Sequence, residues 1–425
     1  MKRILVMIIL ISSVALYTFA NGSQETAAKA ATSYDFQFWF AGTDGIETEY
    51  WQTFFEDFFA DKDDMTFSIT GVPWSDFATK LNVAFASGTA PDLVHYPIAS
   101  ISQRASMGQF MPLDKYYNNW DGKEDYLENL YNLGEYQGQL YGLVTFTDPR
   151  VLVWRKDLFE ESGLDPEVPP ANWKELEEYA LKLTKKQNGQ TVRGGFQIPF
   201  QNSNQMVQIF ALQNGGSLID DKGTTPTFDS IEVMEAAEYL QNLVQAGVSL
   251  PWDQLTGDQF NPFPQGKVAM SYDSPQAYRN LLKNHPELEG KIGVRAPLSN
   301  TDEGTFCGAR LLYISSETER PDLAWDVIEK AMSTEEALKR YELFFAPVNR
   351  TSLLEDYIAD DPELNTATIA AIQVGEGIAK VPWFSLLNRS VSNAMERAFY
   401  GEDVRIVFPE EAEKLRDELK DFQSN

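Results

Sequence analysis

Few residues of this 425-residue chain could do covalent or metal chemistry. The sequence contains two histidines, His95 and His285, and one cysteine, Cys307. A structural zinc site of Cys and His takes four ligands, so the count excludes one. A Cys–His nucleophile pair would require Cys307 to lie beside one of the histidines. The sequence also lacks Gly-x-Ser-x-Gly, phosphate-loop and Gly-x-Gly-x-x-Gly motifs, and so does not indicate the enzyme classes that these motifs mark.

Carboxylates are the catalytic groups that the sequence leaves open. Glycoside hydrolysis needs two carboxyl groups on either side of the bond that is cleaved. The chain has 63 acidic residues, and their separation in space cannot be read from the sequence. An enzyme that acts on glycosides therefore stays an alternative. Turnover of a sugar would distinguish it from a protein that binds the sugar and returns it unchanged.

Aromatic and polar residues follow two predicted strands, which suggests a binding site. Trp39, Phe40 and Thr43 lie at the end of a predicted strand at 34–40, and Tyr96 follows the apolar run 92–94. Ligands of open α/β sheets bind at the carboxyl ends of parallel strands. Aromatic rings stack on the apolar faces of a sugar, while carboxylates, amides and guanidinium groups bind its hydroxyls. Packing in a core is the alternative role for Trp39 and Phe40.

The stretch 72–97 is the element that must position these residues. Phe77, Leu81 and the pair 84–85 recur about every four residues, which predicts an amphipathic helix with Ser75 as its cap. Gly88 and the following proline predict the end of the helix, and 92–94 then reads as a buried parallel strand. A strand at 34–40, a helix at 47–60 and a strand at 65–72 precede it. Together they predict a strand–helix–strand–helix–strand unit typical of a doubly wound α/β fold.

The N-terminal residues 1–20 have the features of a secretory signal peptide. Lys2 and Arg3 precede an apolar run at 4–16, and small residues follow at 18–20. The run is too short to span a bilayer. Residues 21–33 are small and polar and predict a flexible leader. Because no cysteine lies at the cleavage site to accept a lipid, we expect a periplasmic protein that is not lipidated.

Composition and charge limit the kind of protein that the chain can form and the partners that it can bind. Aromatic residues make up 13% of the chain and hydrophobic residues 43%, as in a globular protein. The length after removal of the signal peptide predicts two large lobes. The net charge is −28, or −30 without Lys2 and Arg3. Such a field disfavours nucleic acid and anionic lipid as partners.

Several sequence segments, in this order, resemble the extracellular solute-binding proteins of ABC importers, the family that includes maltodextrin-binding protein. The resemblance implies two doubly wound lobes joined by hinge crossings, with lobe 1 at 34–146 and 309–345 and lobe 2 at 147–308 and 346–425. The segments that carry it are ASGTAPD (86–92), GQFMPLD (108–114), YQGQLYGL (136–143), VWRKDLF (153–159), PPANWKEL (169–176), FPQGKVAM (263–270) and APVN (346–349).

The resemblance also implies a set of ligand-binding residues in the hinge crossings and the loops of the second lobe. Asp148 falls at the family's sugar-binding acid, although Arg150 could instead pair with it as a hinge ion pair. The loop 271–276 matches the family's ligand loop, but Gln276 stands where an aromatic residue is expected. The remaining residues placed at the ligand by resemblance are Gln205, Trp252, Asp273, Ser274, Arg310 and Trp383.

The function implied by the resemblance is that of a periplasmic binding protein that delivers a carbohydrate to a membrane permease. It would be a monomer without cofactor or catalytic residues. A polyol or glycerol phosphate is the alternative ligand, although a phosphate should require a cationic pocket, which only Arg150 and Arg310 suggest. A sensor that passes ligand state to a signalling receptor is a third possibility.

One loop has part of the pattern of a calcium site. Asn119, Asp121, Gly122 and Glu128 occupy four places of a calcium-binding loop, but Tyr117 stands at the first place, which should supply an oxygen ligand. The sequence therefore favours an ordinary solvated loop, with calcium binding as the alternative.

Overall fold

The computed structural model of the protein describes residues 34–200, 203–251 and 262–424. The predicted signal peptide, the predicted leader and Trp252 lie outside these residues. The strands are β1 (Tyr34–Ala41), β2 (Met65–Val72), β3 (Leu93–Pro97), β4 (Glu135–Tyr136), β5 (Gln139–Leu140), β6 (Gly142–Pro149), β7 (Val151–Arg155), β8 (Lys185–Gln187), β9 (Gln190–Arg193), β10 (Met270–Asp273), β11 (Ile292–Arg295), β12 (Thr305–Ile314) and β13 (Gly375–Glu376).

Helices separate most of these strands, which makes the chain an α/β protein. They are α1 (Gly45–Phe59), α2 (Trp74–Ser87), α3 (Ile101–Ser106), α4 (Asp114–Tyr117), α5 (Glu128–Gly134), α6 (Lys156–Glu161), α7 (Trp173–Leu183), α8 (Ser203–Gln213), α9 (Ile231–Gln245), α10 (Pro275–Asn284), α11 (Pro321–Ala331), α12 (Thr334–Phe344), α13 (Leu354–Asp360), α14 (Pro362–Gln373), α15 (Phe384–Phe399) and α16 (Val404–Ser424).

The first lobe is built on a sheet in the order β13-β12-β3-β1-β2, with β6 also paired to β12. β1 pairs in parallel with β2 along its whole length and with β3 at residues 38–40. Helices α1 and α2 connect these three strands. The predicted strand–helix–strand–helix–strand unit is therefore confirmed, and the carboxyl ends of its strands face the same edge.

Helix α2 ends as the sequence predicts and begins differently. Phe77 and Leu81 are fully buried, and Gly88 ends the helix with φ 67° while its N–H bonds to carbonyls of the last turn. The prediction that Ser75 caps the helix is wrong. The Pro73 carbonyl already accepts the first helical hydrogen bonds, so Ser75 lies inside the first turn and its hydroxyl donates to Asp76.

Two antiparallel strands, β6 and β12, carry the chain between the lobes. They pair from Cys307↔Pro149 to Tyr313↔Gly142, and β12 also pairs with β3 of the first lobe. Arg150 follows β6, and its backbone bonds β12 in both directions, since its N–H donates to Phe306 and its carbonyl accepts from Thr305. β7 then enters the second lobe. The lobe boundaries inferred from the sequence stay a prediction, because both strands run through them without a break.

Cys307 lies at the centre of this hinge and is fully buried. Its Cβ lies 2.6 Å from the position that a Cβ on Gly375 would take, so β13 packs directly on it. Burial raises the pKa of the thiol to about 12. The thiol is therefore protonated at neutral pH.

The second lobe has a smaller sheet, in which β7 pairs in an antiparallel manner with both β10 and β11. Its main core is formed by helices α7, α8, α9, α15 and α16 around β7 and β10. A separate apolar cluster joins β7 and β11 to α10 and α14. The chain after residue 366 is largely helical and forms the end of α14, then α15 and α16.

The segment 347–350, which includes the end of the APVN stretch, packs on the first lobe. Asn349 donates to the carbonyl of Val144, and Arg350 donates to the carbonyl of Gly122. The chain then passes through α13 and α14 and returns to β12 at β13, which pairs with Thr305 and Phe306. β13 therefore ties the chain after α14 to the start of β12.

The loop with a partial calcium pattern makes internal contacts. The carbonyl of Gly122 accepts from Arg350, the amide of Asn119 donates to Lys115, and the Asp125 carboxylate accepts from Ser352. Among the described residues, no group of three or more His, Cys, Asp or Glu side chains is placed to hold a metal ion. The loop therefore contacts the segment 350–352, which gives it a structural role.

We predict that Gly88→Ala lowers the free energy of unfolding by about 1 kcal/mol, because an L-residue in the left-handed conformation is strained. No atom lies within 4 Å of the added Cβ, so a loss would report backbone strain alone. Gly45→Ala is the matched control, since Gly45 opens α1 without a positive φ and also has open space around it. Equal urea midpoints for the two variants would contradict the assignment of Gly88 as the helix stop.

Candidate functional site

A cavity of about 490 Å³ opens between the two lobes, in front of the hinge strands. Residues from the first lobe, from the hinge and from the second lobe line it. Those of the first lobe are Trp74, Pro97, Ile98, Ala99 and Phe146; those of the hinge are Asp148, Arg150, Phe306, Gly308, Ala309 and Arg310; those of the second lobe are Asn204, Gln205, Gln276, Ile378, Phe384 and Asn388.

The ends of regular elements position these side chains. Trp74 opens α2 directly after β2, and Pro97 ends β3, so both come from the carboxyl edge of the first sheet. From the other side, α8 and α15 present their first turns to the cavity, with Gln205 and Phe384. A ligand in the cavity would therefore contact both lobes at once.

Aromatic rings form much of the wall. Trp74 is 53% exposed although it is among the largest apolar side chains of the protein. Phe146 and Phe306 lie on the hinge strands and are mostly buried, and Phe384 packs against the core of the second lobe. An exposed indole at the mouth of a cleft is available to cover the flat apolar face of a ligand.

An ion pair occupies the first hinge crossing. Arg150 Nη1 lies 2.8 Å from Asp148 Oδ2, and the guanidinium also lies over the ring of Phe306 at 5.5 Å. Asp273 lies close enough to interact with both charges, and burial raises the pKa of its carboxyl. The pairing predicted as an alternative for Asp148 and Arg150 is present, and both side chains also border the cavity.

A second charged group enters the cavity from β12. Arg310 Nη1 donates to both oxygens of Glu47, at 2.8 and 2.9 Å, and the guanidinium lies 4.6 Å from the ring centre of Phe146. His95 Nδ1 lies 3.5 Å from Glu47 Oε1, and His95 Nε2 lies 2.7 Å from the hydroxyl of Thr145. Sequence reasoning did not assign Glu47 to a site.

Buried charge pairing sets the ionisation of this cluster. Burial opposes ionisation of Glu47, but the hydrogen bond with His95 and the charge of Arg310 outweigh it and lower the pKa of the carboxyl to about 2. Burial lowers the pKa of His95 to about 4, against the opposing effect of Glu47. At neutral pH the cluster therefore consists of a cation, an anion and a neutral imidazole.

Four of the residues inferred from the sequence border the cavity together, namely Asp148, Arg150, Gln205 and Arg310. Their contact with a ligand stays a prediction. Thr43 is exposed in the loop beside this cavity, since a Cβ on its neighbour Gly42 would lie 3.6 Å from Trp74 Nε1. Trp252 lies outside the described residues.

Phe40 and Trp383 pack in hydrophobic cores and do not border the cavity. Phe40 belongs to the alternating buried set of β1 and stacks near Phe38, with 6.1 Å between ring centres. Trp383 precedes α15 and packs in the core of the second lobe. Both rings therefore pack inside their lobes, whereas the sequence predicts them at the ligand.

Four further residues inferred from the sequence make contacts outside the cavity lining. Trp39 lies under the ammonium group of Lys80 at 4.7 Å, and Tyr96 stacks on Phe77 at 4.2 Å. The Ser274 hydroxyl caps α10, and Asp273 accepts the N–H of Ser274. These side chains lie behind the cavity or beside it.

Sequence reasoning also missed residues that do border the cavity. Trp74 lies two residues after β2, so the position of strand ends could have identified it. Phe384 is the neighbour of Trp383, and a one-residue difference decides which ring faces the cavity. Phe146 and Phe306 lie inside the predicted crossings, where the sequence does not show which face of the strand is open.

A larger cavity, of about 580 Å³, lies on the other side of the segment 375–380. Ile378 borders both cavities, and the Lys380 ammonium in this segment donates to the carbonyl of Asn132. Among the described residues that line it, none carries an aromatic ring or a guanidinium group. We therefore place the candidate site in the cavity in front of the hinge, where rings and paired charges converge.

No helix within the described ranges is both long and apolar enough to cross a membrane. The sequence model of the family described as bacterial extracellular solute-binding protein matches residues 44–338. A binding protein of Brucella abortus is 26% identical over 350 residues, which cover 81% of this chain and 83% of that protein.

Solved structures share the fold. The sugar-binding protein MalE from Xanthomonas citri superposes with a TM-score of 0.80 at 22% identity, covering 92% of this chain and 100% of the other. An ABC transporter solute-binding protein from Thermotoga lettingae, bound with alpha-D-tagatose, gives 0.77 at 23% identity, covering 91% and 99%.

The family match spans more than half of the chain, and the two-lobed fold with its interlobe cavity agrees with it. This chain belongs to the bacterial extracellular solute-binding protein family.

Proposed function

We propose that the protein binds a neutral carbohydrate in the cavity between its lobes, as the substrate-binding component of an ABC importer. One observation carries this proposal. The cavity combines aromatic rings with amide groups, and each of its two guanidinium groups is already paired with a carboxylate. The names of the solved structures described above, one a sugar-binding protein and one bound with tagatose, support the same ligand class.

The chemistry of the wall suits a sugar. Trp74 and Phe384 can cover the apolar C–H faces of a pyranose or furanose ring. Gln205, Gln276 and Asn388 supply amides, which both donate and accept and so match hydroxyl groups. The amide at Gln276 replaces the aromatic platform expected at this position, so stacking would come from Trp74 and Phe384 instead.

A phosphorylated ligand fits less well. A phosphate is best bound by guanidinium forks that are free to pair with it. Here Arg150 is held by Asp148 at 2.8 Å and Arg310 by both oxygens of Glu47. Glycerol phosphate would have to displace a carboxylate, so a neutral polyol stays the nearer alternative.

The glycosidase alternative lacks its pair of carboxylates at this site. Among the described residues that line the cavity, Asp148 is the one carboxylate, and it is paired with Arg150. Retaining and inverting mechanisms both need two carboxyl groups about 5 to 10 Å apart across the ligand. The family is one of solute-binding proteins, and we propose binding without turnover.

Ligand binding from both lobes would favour the closed form. Moving the open:closed ratio from 1:99 to 99:1 takes about 5.5 kcal/mol of differential affinity. Contacts to Trp74 in the first lobe and to Gln205 and Phe384 in the second can contribute jointly only when the cleft is closed. We propose that a permease recognises this form. Adjacent permease genes would distinguish this role from that of a sensor for a signalling receptor.

The sequence supports a proposal for the location of the protein. We propose a periplasmic monomer that is cleaved after residue 20 and carries no lipid, and that has no nucleic-acid partner because of its charge of −28.

We predict that neutral sugars raise the melting temperature of the mature protein, because a ligand that binds only the folded state stabilises it. At a hundredfold excess over Kd the gain is about 2.7 kcal/mol. The panel should contain D-tagatose, maltose, maltotriose, mannobiose, glycerol and sn-glycerol 3-phosphate, at matched concentrations. A largest shift with sn-glycerol 3-phosphate would contradict the neutral-carbohydrate proposal, and release of monosaccharide during incubation would favour the enzyme alternative.

We predict that Trp74→Ala raises the Kd of the best sugar in this panel about tenfold, since ring stacking and covered apolar area together are worth roughly 1 to 1.5 kcal/mol. Because Trp74 is exposed, its loss should leave the melting temperature of the free protein nearly unchanged. Tyr400→Ala, at a 64% exposed ring outside the cavity lining, is the control. Equal calorimetric affinities for both variants would remove Trp74 from the site.

We predict that the protein recovered from a periplasmic extract begins near Asn21 and carries no added lipid mass. The apolar run at 4–16 is too short to anchor the chain, and the cleavage region has no cysteine. Intact-mass spectrometry provides the measurement. Retention of residues 1–16 or a lipid adduct would overturn the proposed location.

A further inference from the structure

Glu47 is a buried carboxylate that contacts the cavity only through another residue. It lies in the first turn of α1, whereas Arg310 lies on β12, 263 positions away. Both oxygens of Glu47 accept from the same nitrogen of Arg310, Nη1. Glu47 itself is not part of the cavity lining, but Arg310 is.

Two further contacts hold Arg310. The ring of Phe146 lies under the guanidinium at 4.6 Å, and the backbone carbonyl of Arg310 accepts from the hydroxyl of Thr145, which also contacts His95. Among the described residues no hydrogen bond is made by Arg310 Nε or Nη2. One edge of the guanidinium is therefore occupied by Glu47, and the remaining donors are left for the cavity.

The surroundings keep Glu47 charged and in place. His95 packs edge-on against Trp51 at 5.3 Å and closes the cluster from behind. The pKa of the Glu47 carboxyl, lowered to about 2, means that the compensating charge is present at every physiological pH. With Asp148 paired to Arg150 and Asp273 nearby, both guanidinium groups among the described residues that line the cavity have a carboxylate partner.

We propose that Glu47 is a positioning residue that sets ligand specificity: it holds the Arg310 guanidinium in one orientation and cancels its charge, so that the cavity admits neutral polyhydroxyl ligands and rejects anions. This inference rests on the proposed function for the identity of the accepted ligand. The rejection of anions follows from the charge pairs alone. A desolvated cation without its partner would attract a phosphate or carboxylate.

The test is a gain of anion binding. Glu47→Gln keeps the size of the side chain and removes its charge, which leaves Arg310 as an unpaired cation at the cavity wall. We expect calorimetric titration with sn-glycerol 3-phosphate and with inorganic phosphate to show binding about tenfold tighter than to the wild type. The affinity for D-tagatose or maltotriose should fall, because the Arg310 donors are no longer held in place.

Two variants separate this role from a structural one. Glu336→Gln is the control, since Glu336 is also a buried carboxylate, lies on the neighbouring α12 and accepts from Tyr50 of α1 and from Lys339. It should lower stability without creating anion binding. The double variant Glu47→Gln with Arg310→Gln should lose the gained anion affinity, because the free cation is removed.

Each outcome decides the proposal. A folded Glu47→Gln protein that binds the two anions no better than the wild type overturns it, as does equal anion binding by Glu336→Gln. Wild-type protein that binds sn-glycerol 3-phosphate more tightly than any sugar would overturn both this inference and the neutral ligand. Gained anion binding together with no affinity of the wild type for any sugar would overturn the proposed function alone.

A measurement on the wild type covers the case in which Glu47→Gln does not fold. In protein with 15N-labelled arginine, a guanidinium held by Glu47 should give separate signals for Nη1 and Nη2, whereas rotation averages them in a mobile side chain. Arg310→Lys identifies the signals by their absence. An averaged Arg310 signal would show that the group is not held and would overturn the inference.

Discussion

The antiparallel pairing of β6 with β12 is the constraint on which the rest of the structure depends. It joins the mixed sheet of the first lobe, to which both strands belong, to a small antiparallel sheet in the second. At the point of transfer the Arg150 N–H donates to Phe306, and the Arg150 carbonyl accepts from the hydroxyl of Thr305. Asp148, Arg150, Phe306 and Arg310 all border the cavity from this strand pair or its end, so the pairing sets where they lie relative to one another.

Charge pairing is the second organising feature, and it has a specific cost. An ion pair taken out of water is favourable only when its partners satisfy each other closely. Arg310 meets this condition through two oxygens of Glu47, and Arg150 through Asp148 beside the ring of Phe306. In a chain with net charge −28, cations at the cleft are thus held by local acids and do not act as free anion sites.

Local sequence patterns predicted the helices and strands of the first lobe, but they did not predict which aromatic rings face the cavity. The end of α2 at Gly88 and the parallel pairing of β1 to β3 follow from short-range chemistry that the sequence displays. The burial of Phe40 was also readable, since it continues the alternation of Phe36 and Phe38. Whether Trp383 or Phe384 faces the cavity depends on how α15 packs, and the pairing of Glu47 with Arg310 joins residues far apart in sequence. Such long-range contacts leave no mark in a local pattern.

The buried thiol of Cys307 makes the opening of the hinge strands measurable as a rate. A thiol with its pKa raised to about 12, covered by Gly375 and paired across from Pro149, can react with an alkylating reagent only when β12 separates from its neighbours. As the sequence contains no other cysteine, the rate at which the protein is alkylated would report how often β12 opens. The native chain thus carries its own chemical probe of hinge opening and needs no engineered label.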